Sequence, residues 1–317
     1  MKVLVTRNLP GAALERLKNF AEVEINFEDR DLSKTEIMKF GADKDAIITM
    51  LSNSIDAEVI DACPQLKIIA NYAVGYNNIA IEQATKKNIY VTNTPDVLTN
   101  STADLTWALI LAVARRIVTA DEFLRKGKFT GWSPELFLGS DIFGKTLGIV
   151  GAGRIGRAVA ERAVGFKMPI IYTSRERKVE WEKSLNAKYV SMQELLEQAD
   201  FISLHTALTM ETNHLLSSKE FVKMKKSSFV INTGRGQLID ENALVDALEN
   251  GEIAGAGLDV YEFEPNIIEK LKSLNNVVIL PHIGSATIET RNRMANMVVE
   301  NVLSVLKNER PEQSINI

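Results

Sequence analysis

The amino-acid sequence predicts an α/β protein whose parallel sheets are covered by helices on both faces. Short apolar, β-rich runs alternate with amphipathic stretches along all 317 residues. None of these runs alternates cleanly between apolar and polar residues, as a strand with one solvated face would. Continuous apolar strands between helices are typical of a buried parallel sheet. The predicted strands lie at residues 3–5, 46–48, 68–70, 147–150, 170–172, 201–204, 229–231 and 277–280.

Composition narrows the class of protein. The length predicts about two domains, and 45% hydrophobic with 25% charged residues is usual for a folded globular chain. A net charge of -4 gives no reason to expect nucleic acid or an anionic membrane as a partner. Cys63 is the only cysteine, so no internal disulfide can form. No run is long enough for a signal peptide or a membrane span, so we expect a cytoplasmic protein.

Two long helices lie beside candidate domain junctions. Ser101 and Asp104 fit a capping box, which predicts a helix that starts after Asn100 and runs to about Ile117. A second helix is predicted from near Ala286, with one apolar face. That face consists of Met294, Met297, Val298, Val302, Val305 and Leu306. We interpret both as packing helices.

A glycine-rich turn follows the predicted strand at 147–150. Its residues are Gly151, Ala152, Gly153, Arg154, Ile155 and Gly156. In such a turn the first glycine permits the tight bend, the second lets backbone approach a pyrophosphate, and the third lets the helix pack against the strand. The free amides and dipole of the helix then bind the anion. Strand, turn and helix together predict a dinucleotide site rather than a purely structural turn.

The end of the next strand predicts which cofactor binds. An NAD enzyme usually has Asp or Glu there to accept from the ribose 2′-OH. This chain has Ser174, Arg175 and Arg177, whose hydroxyl and guanidinium groups suit a 2′-phosphate. We therefore predict NADP(H) as the preferred cofactor. The alternative is that the arginines are solvated, Glu176 binds the ribose, and NAD(H) is used.

Three further segments place reactive side chains after predicted strands. Arg235 lies in a glycine-flanked turn, Glu264 follows the segment 257–263, and His282 follows a buried strand and a proline. Single residues of these types are more often structural or surface residues, so spacing alone does not establish a site.

The sequence resembles the D-isomer-specific 2-hydroxyacid dehydrogenases over essentially its whole length, and most of all their glyoxylate/hydroxypyruvate reductase branch. The matching segments are NYAVGYNN (71–78), GKFTGW (127–132), GAGRIG (151–156), NTGRG (232–236), GLDVYEFEP (257–265) and PHIGSAT (281–287).

The resemblance implies a catalytic set of Arg235, Glu264 and His282. A 2-oxo acid needs a cation for its carboxylate and a proton for its carbonyl oxygen. Arg235 can hold the acid bidentately, and His282 can donate a proton near neutral pH. A carboxylate at Glu264 favours the imidazolium form of His282 and fixes its ring.

The resemblance also implies binding residues around this set. The backbone amides of Val74 and Gly75 would bind the substrate carboxylate, and Leu51, Ser285 and Trp132 would line the pocket. Asp259 would contact the nicotinamide amide, and Thr233 and Gly234 would join Arg235 beside the cofactor. No metal is expected.

The family architecture implies two doubly wound parallel-sheet domains. A Rossmann nucleotide domain, residues 99–286, would be inserted into a smaller flavodoxin-like substrate domain formed by residues 1–98 and 287–317. The active site would lie in the cleft between them, with hinge closure excluding water. The family is usually dimeric, so we expect a homodimer.

The sequence therefore predicts an NADPH-dependent reductase of glyoxylate and hydroxypyruvate. Within the enzyme class, the alternative is a dehydrogenase for another D-2-hydroxy acid. The alternative from a different class is a nucleotide-sensing scaffold that binds proteins. Turnover of a 2-oxo acid distinguishes the enzyme from the scaffold.

Overall fold

The computed structural model describes residues 1–317 and divides into two compact units. The terminal unit comprises Met1–Leu98 and Ser285–Ile317, and the inserted unit comprises Thr99–Gly284. The inserted unit ends at Gly284, two residues before the end at residue 286 that the family architecture implies.

The structure contains twelve strands and thirteen α-helices. The strands are β1 (Lys2–Val5), β2 (Glu22–Ile25), β3 (Ala46–Thr49), β4 (Ile68–Asn71), β5 (Tyr90–Thr92), β6 (Leu147–Val150), β7 (Ile170–Thr173), β8 (Lys188–Tyr189), β9 (Phe201–Leu204), β10 (Phe229–Asn232), β11 (Gly255–Leu258) and β12 (Val277–Ile279). The helices are α1 (Ala13–Lys18), α2 (Lys34–Gly41), α3 (Ala57–Asp61), α4 (Ile81–Lys86), α5 (Thr99–Ala114), α6 (Ile117–Arg125), α7 (Arg154–Ala163), α8 (Val179–Leu185), α9 (Met192–Gln198), α10 (Ser218–Phe221), α11 (Glu241–Glu249), α12 (Glu269–Ser273) and α13 (Ile288–Leu306).

The terminal unit is built on a five-stranded parallel sheet in the order β2-β1-β3-β4-β5. This is the flavodoxin-like order of a doubly wound sheet. Residues such as Leu4, Ile47 and Ile69 pack on one face with buried side chains of α2 and α3. Helices α1 and α13 pack together, and α13 also packs against β4.

The inserted unit is built on a seven-stranded parallel sheet in the order β12-β11-β10-β9-β6-β7-β8. Alternate residues of the central strands enter two separate apolar clusters. Val150 and Ile202 belong to the cluster shared with α9 and α11, whereas Ile149 and Phe201 belong to the cluster shared with α5 and α7. Both faces are therefore covered, and the predicted α/β fold class is confirmed.

Helix α13 begins close to the predicted position, whereas α5 differs from prediction at both ends. Helix α13 begins at Ile288, where the Thr287 hydroxyl caps the amide of Thr290 at 3.1 Å. The capping box predicted at Ser101–Asp104 is wrong, because α5 already begins at Thr99. Ser101 and Thr102 are buried inside its first turns, where Thr102 donates to the carbonyl of Gly284. The helix also ends at Ala114 rather than near residue 117.

No helix of the structure is both long enough and apolar enough to span a membrane.

Candidate active site

The functional groups of the inserted unit lie where its parallel strands end. Strands β6 and β9 are neighbours in the sheet although β7 and β8 separate them in the chain. Ligands of doubly wound sheets bind at such a switch point, outside the carboxyl ends of the strands. The glycine-rich turn follows β6 and Ser174 follows β7, whereas Arg235, Asp259 and His282 follow β10, β11 and β12.

The first residue of the glycine-rich turn has to be glycine. Gly151 has a φ of +103°, which side-chain-bearing residues rarely adopt. A Cβ at this position would also lie 2.5 Å from the carbonyl carbon of His205. The turn therefore packs directly against the loop after β9. The Gly151 amide donates to the Thr173 carbonyl at 2.9 Å.

The amino end of α7 is open and uncapped. Gly153 provides no side-chain cap, and a Cβ added to it would meet no atom within 4 Å. At Gly156, in contrast, a Cβ would collide with the carbonyl of Gly151 and lie 3.2 Å from the Ile149 side chain. The helix is thus held close to β6, and its amino end has no side-chain cap. These features suit the pyrophosphate of a dinucleotide.

The residues predicted to recognise a 2′-phosphate differ in how they are engaged. The Ser174 hydroxyl donates to the Glu176 carbonyl at 2.6 Å. Arg177 is paired bidentately with Glu182, at 2.7 Å through both Nε and Nη2. Arg175 is exposed. Both arginines are therefore exposed, and Arg177 is the one paired with a carboxylate of α8.

His282 and Glu264 form a hydrogen-bonded pair. The Nδ1 atom of His282 lies 2.9 Å from Oε2 of Glu264, and the other carboxylate oxygen accepts from the Tyr261 amide at 2.9 Å. The two side chains are 26% and 30% exposed, so the pair can be reached by a ligand. Because Nδ1 is occupied, Nε2 is the ring nitrogen available for chemistry.

Several interactions determine the charge of Glu264. Burial raises its pKa, but the hydrogen bond and charge of His282, the Tyr261 amide and the charge of Arg235 together lower the pKa below its ordinary value. The carboxylate is therefore ionised at neutral pH. The same interactions place Arg235 close enough to act on the pair electrostatically.

Asp259 supports the loop that carries His282. Its two carboxylate oxygens accept from the amides of Ile283 and Gly284, each at 2.7 Å, and the residue is 1% exposed. Burial raises the pKa of Asp259 despite these amides and the charge of His282. His282 itself has a φ of +54°, in the left-handed region, so the turn needs such support. The predicted contact with a nicotinamide amide would use the remaining lone pairs.

Arg235 is presented by a hydrogen-bonded turn after β10. The Asn232 side chain accepts from the Gly234 amide at 3.0 Å and donates to the Arg235 carbonyl at 2.8 Å. The Thr233 hydroxyl lies 2.9 Å from that of Thr106 on α5. Burial lowers the pKa of the Arg235 guanidinium, and the carboxylate of Glu264 opposes this shift. A half-buried cation therefore lies beside the histidine–glutamate pair.

A polar network behind this cluster was missed by sequence reasoning. His214 Nε2 bonds Glu262 at 2.7 Å, and the Glu262 amide donates to Glu241 at 2.5 Å. Gln237 donates to the Glu262 carbonyl at 2.8 Å. Burial raises the pKa of Glu241. At the start of α11, Glu241 resembles an ordinary first-turn acid, so no local signal distinguishes it.

The terminal unit carries the other predicted substrate residues. Leu51 lies in the loop after β3, Val74 and Gly75 lie in the loop after β4, and Ser285 begins the segment that leads into α13. The amides of Val74 and Gly75 donate to no atom of the protein. Two successive free amides can bind an anion.

Two other sequence predictions concern the inserted unit and metals. Trp132, predicted as a pocket wall, is 84% exposed. No group of three or more His, Cys, Asp or Glu side chains is placed to hold a metal ion.

Comparisons with known proteins identify the family of this chain. The model of the D-isomer specific 2-hydroxyacid dehydrogenase NAD-binding domain matches residues 107–284. A glyoxylate reductase from Thermococcus onnurineus is 50% identical over 319 aligned residues, which cover 99% of this chain and 96% of that relative.

Solved structures extend the similarity. A protein from Thermus thermophilus has a TM-score of 0.94 and 47% identity, with 99% of this chain and 100% of that one covered. A second solved structure is that of an NADPH-dependent glyoxylate/hydroxypyruvate reductase from Sinorhizobium meliloti in complex with NADP and malonate. It has a TM-score of 0.88 and 33% identity, and the match covers 99% of this chain and 96% of that one. The family model matches more than half of the chain, and the relatives and solved structures match nearly all of it. The chain therefore belongs to the D-isomer-specific 2-hydroxyacid dehydrogenases and is an NAD(P)-dependent oxidoreductase.

Proposed function

We propose that the protein reduces glyoxylate and hydroxypyruvate to glycolate and D-glycerate with NADPH. The observation that carries this proposal is the ionised Glu264 bonded to His282 beside the half-buried Arg235, all on loops after neighbouring strands. A cation and a proton donor at one sheet edge are what reduction of a 2-oxo acid requires.

Each side chain has a distinct part in the reaction. Arg235 binds the 2-oxo acid through its planar guanidinium and orients the carbonyl group. Protonated His282 donates the proton on Nε2 to the carbonyl oxygen, while Glu264 holds Nδ1 and stabilises the imidazolium. Asp259 fixes the backbone that follows His282. When bound, the reduced nicotinamide supplies a hydride to the carbonyl carbon.

Substrate binding would also use the terminal unit. We propose that the amides of Val74 and Gly75 bind the substrate carboxylate and that Leu51 and Ser285 contact the rest of the acid. Small side chains on the substrate, as in glyoxylate and hydroxypyruvate, are favoured by the similarity to glyoxylate reductases.

The preference for NADPH rests on the end of β7. Position 174 is a serine, so no carboxylate is present there to accept from a ribose 2′-OH. The exposed Arg175 can pair with a 2′-phosphate. Glu176, the residue that would bind the ribose of NAD(H), is itself paired with Lys178 at 3.2 Å. Arg177 could contribute through Nη1, because its pairing with Glu182 uses only Nε and Nη2.

A panel of 2-oxo acids assayed with NADPH and NADH tests the proposed function. We expect glyoxylate and hydroxypyruvate to have the highest kcat/KM, and NADPH to exceed NADH. Faster turnover of a bulkier 2-oxo acid would assign the protein to another D-2-hydroxy acid, and a clear NADH preference would reject the cofactor assignment. Absence of turnover across the panel would favour a nucleotide-sensing scaffold.

Glu264→Gln is expected to shift the pH profile of reduction to lower pH. The charge of His282 lowers the pKa of Glu264, so by reciprocity the carboxylate stabilises the imidazolium. Glutamine keeps a similar shape but has no charge, so it cannot stabilise a positive charge on the neighbouring ring. The high-pH limb of kcat/KM for glyoxylate should move down by about one pH unit. A limb that stays in place would exclude this role for Glu264.

We also propose that the protein forms a homodimer through residues 117–143. Helix α6 buries none of its residues. This segment exposes the large apolar side chains of Ile117, Val118, Leu124, Phe129, Trp132, Leu136, Leu138 and Phe143. Such a concentration of exposed apolar groups favours a protein interface, and the family resemblance favours a second copy of the chain.

Sedimentation velocity tests this assembly. The wild-type protein should sediment at twice the chain mass of 35.2 kDa, and Leu124→Glu should shift it toward the monomer because a charge would be buried in the interface. Val222→Glu changes a similarly exposed apolar residue outside the segment, so it should stay dimeric. A monomeric wild type, or an L124E variant that remains dimeric, would contradict the proposed interface.

A further inference from the structure

Two loops of the terminal unit are tied together by asparagine side chains. The loops follow the neighbouring strands β3 and β4, so both lie at the carboxyl edge of the sheet. They contain Leu51, Val74 and Gly75, the residues proposed to bind the substrate. In both loops, backbone carbonyls accept from asparagine amides.

The loop after β4 is held at two successive carbonyls. Asn93 donates to the Val74 carbonyl at 2.7 Å, and Asn71 donates to the Gly75 carbonyl at 2.8 Å. In a planar trans peptide the carbonyl and the following amide point in opposite directions. Anchoring the carbonyl of Val74 therefore aims the amide of Gly75 away from Asn93. That amide donates to no protein atom.

The loop after β3 is held by the same network. Asn78 donates to the carbonyls of Met50 and Asn53, at 3.2 Å and 3.0 Å. Its own side-chain oxygen accepts from Asn71 at 3.2 Å. Asn71 and Asn78 thus connect the backbone on both sides of Leu51 with the backbone of Gly75.

The chemistry of the donors suits a loop that binds an anion. Asn71 and Asn93 are buried, so their amides are shielded from water and their hydrogen bonds to carbonyls fix the backbone. A lysine or arginine at these positions would itself attract the carboxylate. A neutral amide holds the backbone and leaves the anion to the free amides.

We propose that Asn71, Asn78 and Asn93 are positioning residues that orient these two loops for the carboxylate of a 2-oxo acid. This proposal rests on the proposed function, because that function assigns the substrate carboxylate to the amides of Val74 and Gly75. None of the three asparagines needs to touch the substrate.

The test compares Asn93→Asp with Asn316→Asp. The first replaces the donor to Val74 with a carboxylate that repels its carbonyl. Asn316 is the matched control, because its amide donates to the Ile89 carbonyl at 2.9 Å at the opposite end of β5. We measure KM and kcat for glyoxylate, the Kd of the unreactive 2-oxo acid analogue oxamate, the Kd of NADPH, and Tm.

In N93D we expect KM for glyoxylate and the Kd of oxamate to rise about tenfold or more, with kcat changed less. The Kd of NADPH should stay within about twofold. N316D should leave KM and oxamate affinity at wild-type values even where its Tm falls. Should N93D fail to fold, Asn93→Ala removes the donor without adding charge and should raise KM in the same direction.

Two results would overturn the proposal. One is N93D, or the alanine variant, with a lowered Tm but wild-type KM and oxamate affinity. The other is an equal rise of KM in N93D and N316D. Both of these results leave the proposed function intact. Failure of the proposed function itself would instead appear in the wild-type protein, which would neither reduce glyoxylate nor bind oxamate.

Discussion

Replacing Arg235 with alanine is expected to abolish most of the activity toward glyoxylate. The guanidinium lies close enough to Glu264 to lower the pKa of that carboxyl, and it is presented on a turn fixed by Asn232. Loss of a bidentate, charge-assisted contact of about 3 kcal/mol or more should lower kcat/KM at least about a hundredfold, through a higher KM and a lower kcat. Steady-state kinetics with NADPH saturating measures this loss.

The matched variant is Arg235→Lys, which keeps a positive charge without the planar fork. Its KM for glyoxylate should be lower than that of R235A. Its kcat should stay below the wild-type value, because a single ammonium orients the acid less well. The Kd of NADPH in R235A should remain within about twofold of wild type, since the pyrophosphate contacts lie elsewhere. Wild-type kinetics in R235A would remove Arg235 from the site.

Replacing His282 with glutamine is expected to lower kcat for glyoxylate by about a hundredfold to ten-thousandfold, the usual contribution of a general acid. Glutamine can still hydrogen-bond to Glu264 but cannot deliver a proton near neutral pH. KM should change much less than kcat, because the carboxylate of the substrate is held by other groups. Single-turnover measurement of NADPH oxidation separates the chemical step from binding.

The protein contains a second histidine–glutamate pair that serves as control. His214 bonds Glu262 at 2.7 Å in the same unit. His214→Gln should lower Tm but leave kcat within about threefold of wild type, because a partly exposed pair contributes little beyond local stability. If H282Q retained wild-type kcat, or if H214Q lost as much activity as H282Q, His282 would not be the proton donor.

Apolar pattern predicted eight of the twelve strands; β2, β5, β8 and β11 were missed, and the reason is clearest for β11. All eight predicted runs form strands, but β11 was not recognised because two of its four residues are glycine. Both glycines are required by packing. A Cβ at Gly255 would lie 2.5 Å from the Asn276 carbonyl, and one at Gly257 would lie 3.0 Å from Leu109 on α5. Strand propensity depends on residue type alone, so it does not predict a glycine that is required by contacts with a neighbouring segment.

The reactive residues were predicted from resemblance rather than from spacing. Glu264 and His282 lie eighteen positions apart, and only the adjacency of β11 and β12 brings them to 2.9 Å. The pairing of Arg177 with Glu182 and the anchoring of loop carbonyls by Asn71 and Asn93 were not foreseen. Asparagine at a strand end predicts a turn in general terms, but its partner depends on tertiary structure.

The most direct test of the account is a crystal structure of the ternary complex with NADP and oxamate. We predict the oxamate carboxylate on Arg235 and on the amides of Val74 and Gly75. His282 Nε2 should lie about 2.6–3.2 Å from the oxo oxygen, and C4 of the nicotinamide should face the carbonyl carbon at about 3–3.5 Å. Oxamate bound away from both Arg235 and His282, or a nicotinamide ring that cannot reach it, would contradict the proposed reduction.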